Sequence, residues 1–391
     1  MNTVLRRRTW AGVVGLTVVV GIACCSGGCR PSSFSVAAQE ADATLPLQTG
    51  WRVAGGPILR AGEARAQGLW NDPSVLMAGS QYVMYATSST KEMFKPPVAP
   101  FRFVSDDGIR WTLNPPTPLL VPSESGFVST ETPSVVVFNG KHHMFYTGLY
   151  KARVDVGSMA VGHAVSDDGK TWTADPRGGV LKATGNPSDW NGFLVAEPGA
   201  VVFHDRIYLY FTALSARPGG NPPQRHVIGL TTTVDGKTFD APRPVLEQAE
   251  IYPPGSGFAG YSTPSAAVRN GSVYLFYDVV IGKPEWKQVA LHDAVSSDGE
   301  RFTQARMALS NRGQASWTSS EIRSPSVLFE GDKVRMWFAG HGDVRSLIRA
   351  LQRGQTSDQF GIGLAETDTS LLDRGLDRTA QPTSRGRSRD R

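Results

Sequence analysis

The body of this chain contains no cysteine. All three cysteines, Cys24, Cys25 and Cys29, lie in the first 30 of the 391 residues. Disulfide bonds and thiol catalysis are therefore excluded for the part of the chain that folds. Long apolar runs are missing too. The most prominent one, residues 10–23, has 14 residues, which is short for a transmembrane helix.

An excess of charge of one sign is also missing from the body. The chain has 40 Lys and Arg against 35 Asp and Glu, but residues 1–29 hold three Arg and no acid, and residues 373–391 hold six Arg and three Asp. The remaining 31 basic and 32 acidic side chains nearly cancel, so nothing favours a nucleic-acid partner. Residues 371–391, rich in Arg, Ser and Thr, are predicted to form a disordered basic tail.

The N-terminus has the pattern of an export signal. Three arginines at 6–8 precede the apolar run, and small residues follow it. Residues 1–29 are therefore predicted to be the signal and residues 30–47 a linker. Ile22-Ala23-Cys24 resembles a bacterial lipoprotein cleavage site, which leaves lipid anchoring open as the only membrane contact expected. The predicted location is the periplasm or the cell surface.

One phrase occurs five times in the body. Each copy holds an apolar run, a tight turn such as Asn139-Gly140, and an aromatic-rich run, as expected for a β-hairpin. The copies are 60 to 66 residues apart, measured between their prolines, which are Pro73, Pro133, Pro198, Pro264 and Pro325.

A second phrase alternates with the first and completes a four-stranded unit. It contains Asp-Gly followed by Trp or Phe, as at residues 164–172, and predicts another hairpin. Repeated units of four antiparallel strands predict an all-β fold, a five-bladed β-propeller over residues 48–370. The strand at 50–59 is expected to pair with the strand at 360–368 and so close the fifth blade. We expect a short helix only at 343–353.

The five copies differ mainly just before the proline. Asp72, Glu131, Glu197 and Arg323 stand there, at one mouth of the predicted channel. A residue before proline is expected to be extended, and proline suits the start of a strand. Paired carboxylates across a pocket suit glycosidic bond cleavage, with one as acid and the other as base or nucleophile. The alternative is that these acids only accept backbone hydrogen bonds.

Aromatic side chains near these prolines are candidates for sugar contacts. Trp70 and Trp190 are the better candidates, because their flat rings suit the C–H faces of sugars. Asn71, next to Trp70, is also a predicted substrate contact. Trp70-Asn71-Asp72-Pro73 is similar to the Asn-Asp-Pro opening of the invertase and levansucrase group of five-bladed propeller glycosidases. The repeat architecture also resembles their relatives in glycoside hydrolase family 43, the arabinanases and β-xylosidases.

That resemblance implies roles for several residues. Asp72 corresponds to the nucleophile of the invertase group or to the general base of the arabinanase group, and Glu197 to the general acid of both. The second copy departs from the families, because Thr132 and Ser134 flank its proline where an Asp is usual. Only Glu131 could replace that acid.

Two further residues are candidates for substrate binding. Arg323 could bind a substrate hydroxyl or offset the charge of the carboxylates. His341 corresponds to a central histidine that in the arabinanase group sometimes lies near calcium. No spacing resembles a zinc site or a phosphate-binding loop, so no metal site and no cofactor are predicted, although calcium remains open.

The sequence leaves two main functions in competition. The first is an exported, monomeric glycoside hydrolase that acts on a carbohydrate with Asp72, Glu197 and Glu131. The second is a non-catalytic propeller lipoprotein that binds a glycan or a protein at the cell surface, which the departure in the second copy favours. A sialidase, suggested by the Ser-Asp-Asp-Gly-Lys-Thr-Trp turn, fits less well because sialidases have six blades and an arginine cluster.

Overall fold

A computed structural model describes residues 50–151, 153–215, 225–247, 257–282, 286–303, 305–312 and 316–373. These residues form antiparallel β-sheets with a few short helices. The predicted export signal at 1–29, the linker at 30–47 and the tail from 374 onward lie outside the described residues. No helix in the described ranges is long and apolar enough to cross a membrane.

The strands group into units of four that follow one another along the chain. Two short strands precede the first unit, β1 (Arg52–Val53) and β2 (Leu59–Ala61). Unit 1 consists of β3 (Asn71–Ala78), β4 (Gln81–Ser89), β5 (Val98–Ser105) and β6 (Thr112–Leu113). Unit 2 consists of β7 (Ser129–Phe138), β8 (Lys141–Leu149), β9 (Met159–Ser166) and β10 (Thr173–Lys182). Each is a separate antiparallel sheet.

Units 3 and 4 form one larger sheet. Unit 3 consists of β11 (Leu194–Phe203), β12 (Arg206–Leu214), β13 (His226–Thr233) and β14 (Arg243–Leu246). Unit 4 consists of β15 (Phe258–Arg269), β16 (Ser272–Ile281), β17 (Lys287–Ser296) and β18 (Arg306–Ser310). A single parallel pair, His226 with Gly260, joins the two antiparallel halves.

The two N-terminal strands, β1 and β2, complete unit 5. This unit contains β19 (Glu321–Glu330), β20 (Lys333–His341) and β21 (Ser357–Asp368). Both N-terminal strands pair with β21, Arg52 opposite Glu366 and Leu59 opposite Ile362. The prediction that the N-terminal strand joins the last sheet is therefore confirmed.

Helices occupy only short connections. They are α1 (Pro122–Ser125), a 3-10 turn (Ser316–Thr318), α2 (Val344–Gln352) and α3 (Thr369–Asp373). The side chain of Asp343 caps α2 by accepting from the N–H groups of Arg345 and Ser346. The short helix predicted at 343–353 is thus present.

The predicted boundary of the tail is wrong by a few residues. Residues 371–373 belong to α3, and the Leu372 side chain is completely buried. Arg306 donates to the Leu372 carbonyl, and Arg269 forms an ion pair with Asp373 at 2.7 Å. These contacts attach the helix to unit 4 and extend the folded body to residue 373.

Neighbouring units pack through a repeated pair of rings. The first strands contact one another in the sequence β3, β7, β11, β15, β19 and again β3. At each of these five interfaces a ring on the second strand of one unit packs edge-on against a ring of the next, with centroids 5.8–6.4 Å apart. The pairs are Tyr85–Trp172, Phe145–Phe239, Tyr210–Phe302, Phe276–Trp51 and Trp337–Trp111. Trp51, from the N-terminal segment, thus takes the place of an outer-strand ring.

The repeated Asp-Gly turns receive a hydrogen bond from the preceding unit. Where the second-strand ring has a polar atom, it donates to the carbonyl of the turn glycine: Tyr85 to Gly169 at 2.9 Å, Tyr210 to Gly299 at 2.7 Å and Trp337 to Gly108 at 2.9 Å. The Asp of each turn accepts backbone N–H groups two and three residues ahead, as Asp168 does from Lys170 and Thr171. The sequence repeat is therefore both a turn and an interface signal.

Removing one of these donors should weaken the fold. Tyr210→Phe leaves the buried Gly299 carbonyl without its partner, and we expect the free energy of unfolding to fall by about 1–2 kcal/mol. Urea unfolding followed by tryptophan fluorescence measures this change. Tyr208→Phe, on the same strand, is the matched control, because the Tyr208 hydroxyl makes no hydrogen bond within the described residues. Equal losses in both variants would contradict a role for the interface bond.

Candidate functional site

The residue before each repeated proline has a left-handed backbone. The φ angles are 51° at Asp72, 49° at Thr132, 51° at Glu197, 42° at Thr263 and 51° at Ser324. At each place the register of the first strand shifts against the second, which marks a β-bulge. The prediction of an extended residue before proline is therefore wrong. The local preference is overridden at all five positions.

The bulges lie on first strands whose outer edges are mostly unpaired. Four of the five first strands end the order of strands in their sheet, so one edge of each stays unpaired. Proline has no N–H to leave unsatisfied on such an edge. A residue other than glycine with a left-handed backbone costs about 1–3 kcal/mol in strain. Proteins concentrate such strain at functional sites. The strain here is repeated around a common centre.

Hydroxyl groups of the preceding unit hold most of the bulges. The N–H of Thr132 donates to Thr87 Oγ1 at 2.9 Å, and that of Glu197 donates to Thr147 Oγ1 at 2.7 Å. The repeated serine after the proline does the same one step further on. Val135 N donates to Ser74 Oγ at 3.1 Å. The Pro-Ser core of the repeat is thus a brace between units.

Asp72 and Glu197 line the same cavity. Its walls come from the bulge residues, the prolines and the residues after them, contributed by all five first strands. The volume is about 40 Å³, room for about three water molecules rather than for a sugar ring. Glu131 and Arg323 precede the bulges and do not line it. Both side chains are buried.

The Asp72 carboxylate is buried and only partly satisfied. Ser324 Oγ donates to its Oδ1 at 2.8 Å, and Arg323 Nη2 lies 3.6 Å from the same oxygen. Its Oδ2 has no hydrogen-bond partner within the described part of the chain. The free oxygen can accept a further hydrogen bond, and the Arg323 guanidinium lies on the side of the other oxygen.

The carboxyl of Glu197 has a raised pKa. Burial, reinforced by the charge of Asp278, raises its pKa to about 7, although Arg323 opposes the shift. The N–H of Thr263 donates to Oε2 at 3.3 Å, while Oε1 lacks a partner among the described residues. A carboxyl that holds its proton near neutral pH suits a general acid.

Glu131 joins the same electrostatic cluster. Burial and the charge of Asp72 raise its pKa to about 8, with Glu197 adding to the shift and Arg323 opposing it. Glu131, the displaced acid of the second copy, therefore interacts electrostatically with both Asp72 and Glu197.

Arg323 is the cation at the centre of this cluster. Its side chain is completely buried, which by itself would lower its pKa. The charges of Asp72, Glu321, Glu197 and Asp278 outweigh that effect and raise the pKa. Neither Nη atom makes a hydrogen bond to a described residue. Arg323 therefore offsets the repulsion between the acids and keeps free donors.

His341 pairs with a second buried acid. Its Nδ1 lies 2.8 Å from Glu321 Oε2, and its ring stacks on Phe360 with centroids 4.2 Å apart. The pKa of Glu321 is lowered, because the contacts with His341 and the charge of Arg323 outweigh its burial. The Nε2 atom of His341 is buried without a partner among the described residues.

The three predicted contact residues in the aromatic lead-in loops have different environments. Trp70 is fully buried, packs edge-on against Phe101 and Phe103, and donates to the Glu63 carbonyl at 2.9 Å. The prediction of Trp70 as a sugar contact is wrong, because its ring belongs to the hydrophobic core. Asn71 is buried beside Asp72, and its Oδ1 lacks a partner in the described ranges.

Trp190 is only partly buried. Its ring lies over Phe211 at 5.9 Å and covers Gly229, where a Cβ would collide with it. Packing against the core of unit 3 therefore accounts for most of its position.

Sequence reasoning missed Asp278. This fully buried acid lies on the second strand of unit 4, outside the repeated prolines. Ser262 Oγ and Thr263 Oγ1 donate to it, and Ser324 N donates at 3.3 Å. Burial raises its pKa. The signal was present, because aligned second strands have Thr at this place in units 1 to 3.

The arrangement can hold protons and stabilise charge, with five acids around one arginine. Within the described residues no group of three or more His, Cys, Asp or Glu side chains could hold a metal ion.

Comparisons with known proteins identify the fold. No protein-family model matches the chain, and no curated protein does. Among solved structures, a glycoside hydrolase matches 92% of this chain and 98% of its own (TM-score 0.61, 12% identity). A thermostable family-43 glycoside hydrolase matches 77% and 88% (0.53, 15%). A family 43 enzyme from Xanthomonas citri, solved with xylotriose, matches 85% and 92% (0.53, 13%). The chain thus shares the fold of the glycosidases that its sequence resembles.

Glu131→Gln should stabilise the protein at high pH. The pKa of Glu131 rises from 4.5 to about 8 on folding, so the folded protein retains a proton that the unfolded chain releases above about pH 4.5. The free energy of unfolding of the wild type therefore falls as the pH rises from 4.5 to about 8. The variant has no carboxyl at this position, so its free energy of unfolding does not fall for this reason. We expect the variant to exceed the wild type by about 2–4 kcal/mol at pH 9 and to match it near pH 4.

Glu321→Gln is the matched control with the opposite sign. The lowered pKa of Glu321 means that its charged form stabilises the folded protein above the unfolded pKa. Its replacement should therefore destabilise the protein at pH 7, and the loss should shrink as the pH falls below 4. Urea unfolding across this range measures both variants. A change of the same sign in both at pH 9 would refute the charge assignment.

Proposed function

We propose that this chain is an exported glycoside hydrolase that cleaves glycosidic bonds with Asp72 and Glu197. One observation carries the proposal. The two side chains, 125 positions apart in the sequence, line one cavity, and each has a carboxyl oxygen without a partner in the described part of the chain. Such a pair of carboxyls is what glycosidic cleavage requires.

Glu197 acts as the general acid. With a pKa of about 7 it keeps its proton on a large fraction of molecules near neutral pH and can give it to the leaving oxygen. Asp72, beside Arg323, acts as base on a water molecule or as nucleophile at the anomeric carbon. The separation of the two carboxyls around the bound sugar decides between these roles.

Glu131 and the basic groups support this pair. Glu131, with a pKa of about 8, keeps its proton at neutral pH and can donate to a sugar hydroxyl. The free Nη donors of Arg323 and the free Nε2 of His341 are the other groups proposed to bind sugar hydroxyls. Trp190 is retained as a contact at the rim.

The proposed architecture is a five-bladed β-propeller in which units 1 to 5 are the blades. The ring of contacts among first strands and the five matching ring pairs support it. Unit 5 is the blade that the N-terminal strands complete. In a propeller the first strands surround the channel, which brings acids from different blades together.

The substrate class is proposed from the comparison structures, and the location from the N-terminal sequence. We infer a plant- or microbe-derived oligosaccharide or polysaccharide, because the structures of similar fold include one solved with xylotriose. Export to the periplasm or cell surface, with or without a lipid on Cys24, rests on the pattern of residues 1–29. The protein is proposed to be a monomer.

A second candidate is a non-catalytic propeller that binds a glycan or a protein. The small cavity favours it, because about 40 Å³ admits water but no sugar ring. This candidate predicts glycan or partner binding that survives Asp72→Asn and an absence of hydrolysis by the wild type.

Asp72→Asn and Glu197→Gln should each lower kcat/KM by about 10²–10⁴-fold on a panel of nitrophenyl glycosides. The two residues are distinguished by the leaving group. A dinitrophenyl leaving group needs no proton, so Glu197→Gln should recover much of its rate on such substrates, whereas Asp72→Asn should stay inactive on both. Steady-state kinetics measure the four combinations.

Asp205→Asn is the matched control, because Asp205 lies in the exposed turn between β11 and β12. Its rates should equal those of the wild type. Circular dichroism checks that all three variants fold. Wild-type rates in both site variants would remove the assignment.

A further inference from the structure

Asp278 occupies a position on the second strand where units 1 to 3 have threonine. It lies on β16 opposite Ser262. The matching second-strand residues of the other units, each opposite the residue two before the proline, are Thr87, Thr147, Thr212 and Ala339. In units 1 to 3 this threonine accepts the N–H of the next bulge. Unit 4 has a carboxylate instead.

One side of Asp278 leads to Glu197. The hydroxyls of Ser262 and Thr263 both donate to its oxygens. Thr263 is a bulge residue, and its N–H donates to Thr212 Oγ1 at 3.0 Å and to Glu197 Oε2 at 3.3 Å. Because Asp278 fixes the Thr263 side chain, it also fixes the peptide N–H that contacts the general acid.

The other side leads to Asp72. Ser324 N donates to Asp278 Oδ2 at 3.3 Å, and Ser324 Oγ donates to Asp72 Oδ1 at 2.8 Å. Arg323 Nε donates to the same Ser324 oxygen at 3.3 Å, which directs the hydroxyl proton toward Asp72. A threonine has one oxygen and could not accept from two hydroxyls and a backbone N–H together.

We propose that Asp278 is a positioning residue that fixes both members of the carboxyl pair, Glu197 through Thr263 and Asp72 through Ser324. The proposal rests on the proposed function for its effect on catalysis. Its contacts are independent of that function.

The charge of Asp278 supports the same role. After burial, it contributes most to raising the pKa of Glu197. Asp72 adds to the shift and Arg323 opposes it, and Glu131 shares the cluster. Removing this charge should make Glu197 release its proton at lower pH.

Asp278→Asn tests the proposal through the pH–rate profile. We expect kcat to fall by about 10–100-fold, as for other residues that orient a reacting group. The alkaline limb, which marks the loss of the proton from Glu197, should move to lower pH by about half a unit or more. A residue with only a structural role would lower kcat and leave the limb in place.

Two further variants make the result interpretable. Asp278→Thr introduces the residue of units 1 to 3 and serves if the asparagine variant does not fold. Asp293→Asn removes another fully buried acid of unit 4, one that forms an ion pair with Arg306. The limb should move in Asp278→Thr and stay in Asp293→Asn.

A titration without substrate separates this proposal from the proposed function. Carbon-13 NMR of the Glu197 carboxyl, assigned by its absence in Glu197→Gln, should show a lower midpoint in Asp278→Asn or Asp278→Thr and an unchanged one in Asp293→Asn. An unchanged midpoint in both Asp278 variants would overturn the positioning role, whatever the activity. A lowered midpoint in the Asp278 variants, together with a wild type that hydrolyses no glycoside, would refute the proposed function and leave the positioning role standing.

Discussion

The unpaired edge of the first strands is the constraint on which the site depends. A strand at the end of a sheet turns backbone groups rather than side chains toward its open side. The left-handed bulge before each proline changes this locally and brings one side chain per unit toward the common centre. Proline removes the N–H that would be left open there, and hydroxyls of the preceding unit accept the N–H groups of the next bulges. The five bulges therefore share one backbone and differ in chemistry.

The second constraint is charge in a buried place. Asp72, Glu131, Glu197, Asp278 and Glu321 interact with a single guanidinium, that of Arg323. Buried acids that outnumber their cations cannot all be charged, so some retain protons at pH values where free carboxyls do not. The same burial that reduces stability at high pH gives Glu197 its proton near neutral pH. In the proposed function, stability and chemistry are coupled through the cluster, and Asp278 connects the two carboxyls proposed to react.

Much of the fold could be predicted from the sequence because its signals are local and repeated. The tight turns, the five prolines and the pairing of the N-terminal strands with β21 follow from the pattern of the residues alone. The bulges could not be predicted, since the preference of a residue before proline is extended and only packing around the axis overrides it. Residues 371–373 could not be placed in the folded body from the sequence, because their contacts include Arg269 and Arg306, 104 and 66 positions away.

The site was predictable in part for the same reason. Asp72, Glu131 and Glu197 precede repeated prolines, so the repeat itself marks them. Trp70 precedes the same proline, but whether its ring lies in the core depends on Phe101 and Phe103 from another strand. Asp278 lies in the aromatic-rich half of the repeat, where one acid among threonines stands out only after the second strands are aligned in register.

The most direct test of the central claim is a crystal structure with a bound sugar-ring inhibitor. An iminosugar carries a cation where the anomeric centre develops charge. The account predicts that this ring lies at the mouth beside Glu131 and Arg323, with its reacting centre between the Asp72 and Glu197 carboxyls. A ring bound elsewhere on the protein, with these two carboxyls contacting only Ser324 and Thr263 as before, would contradict it.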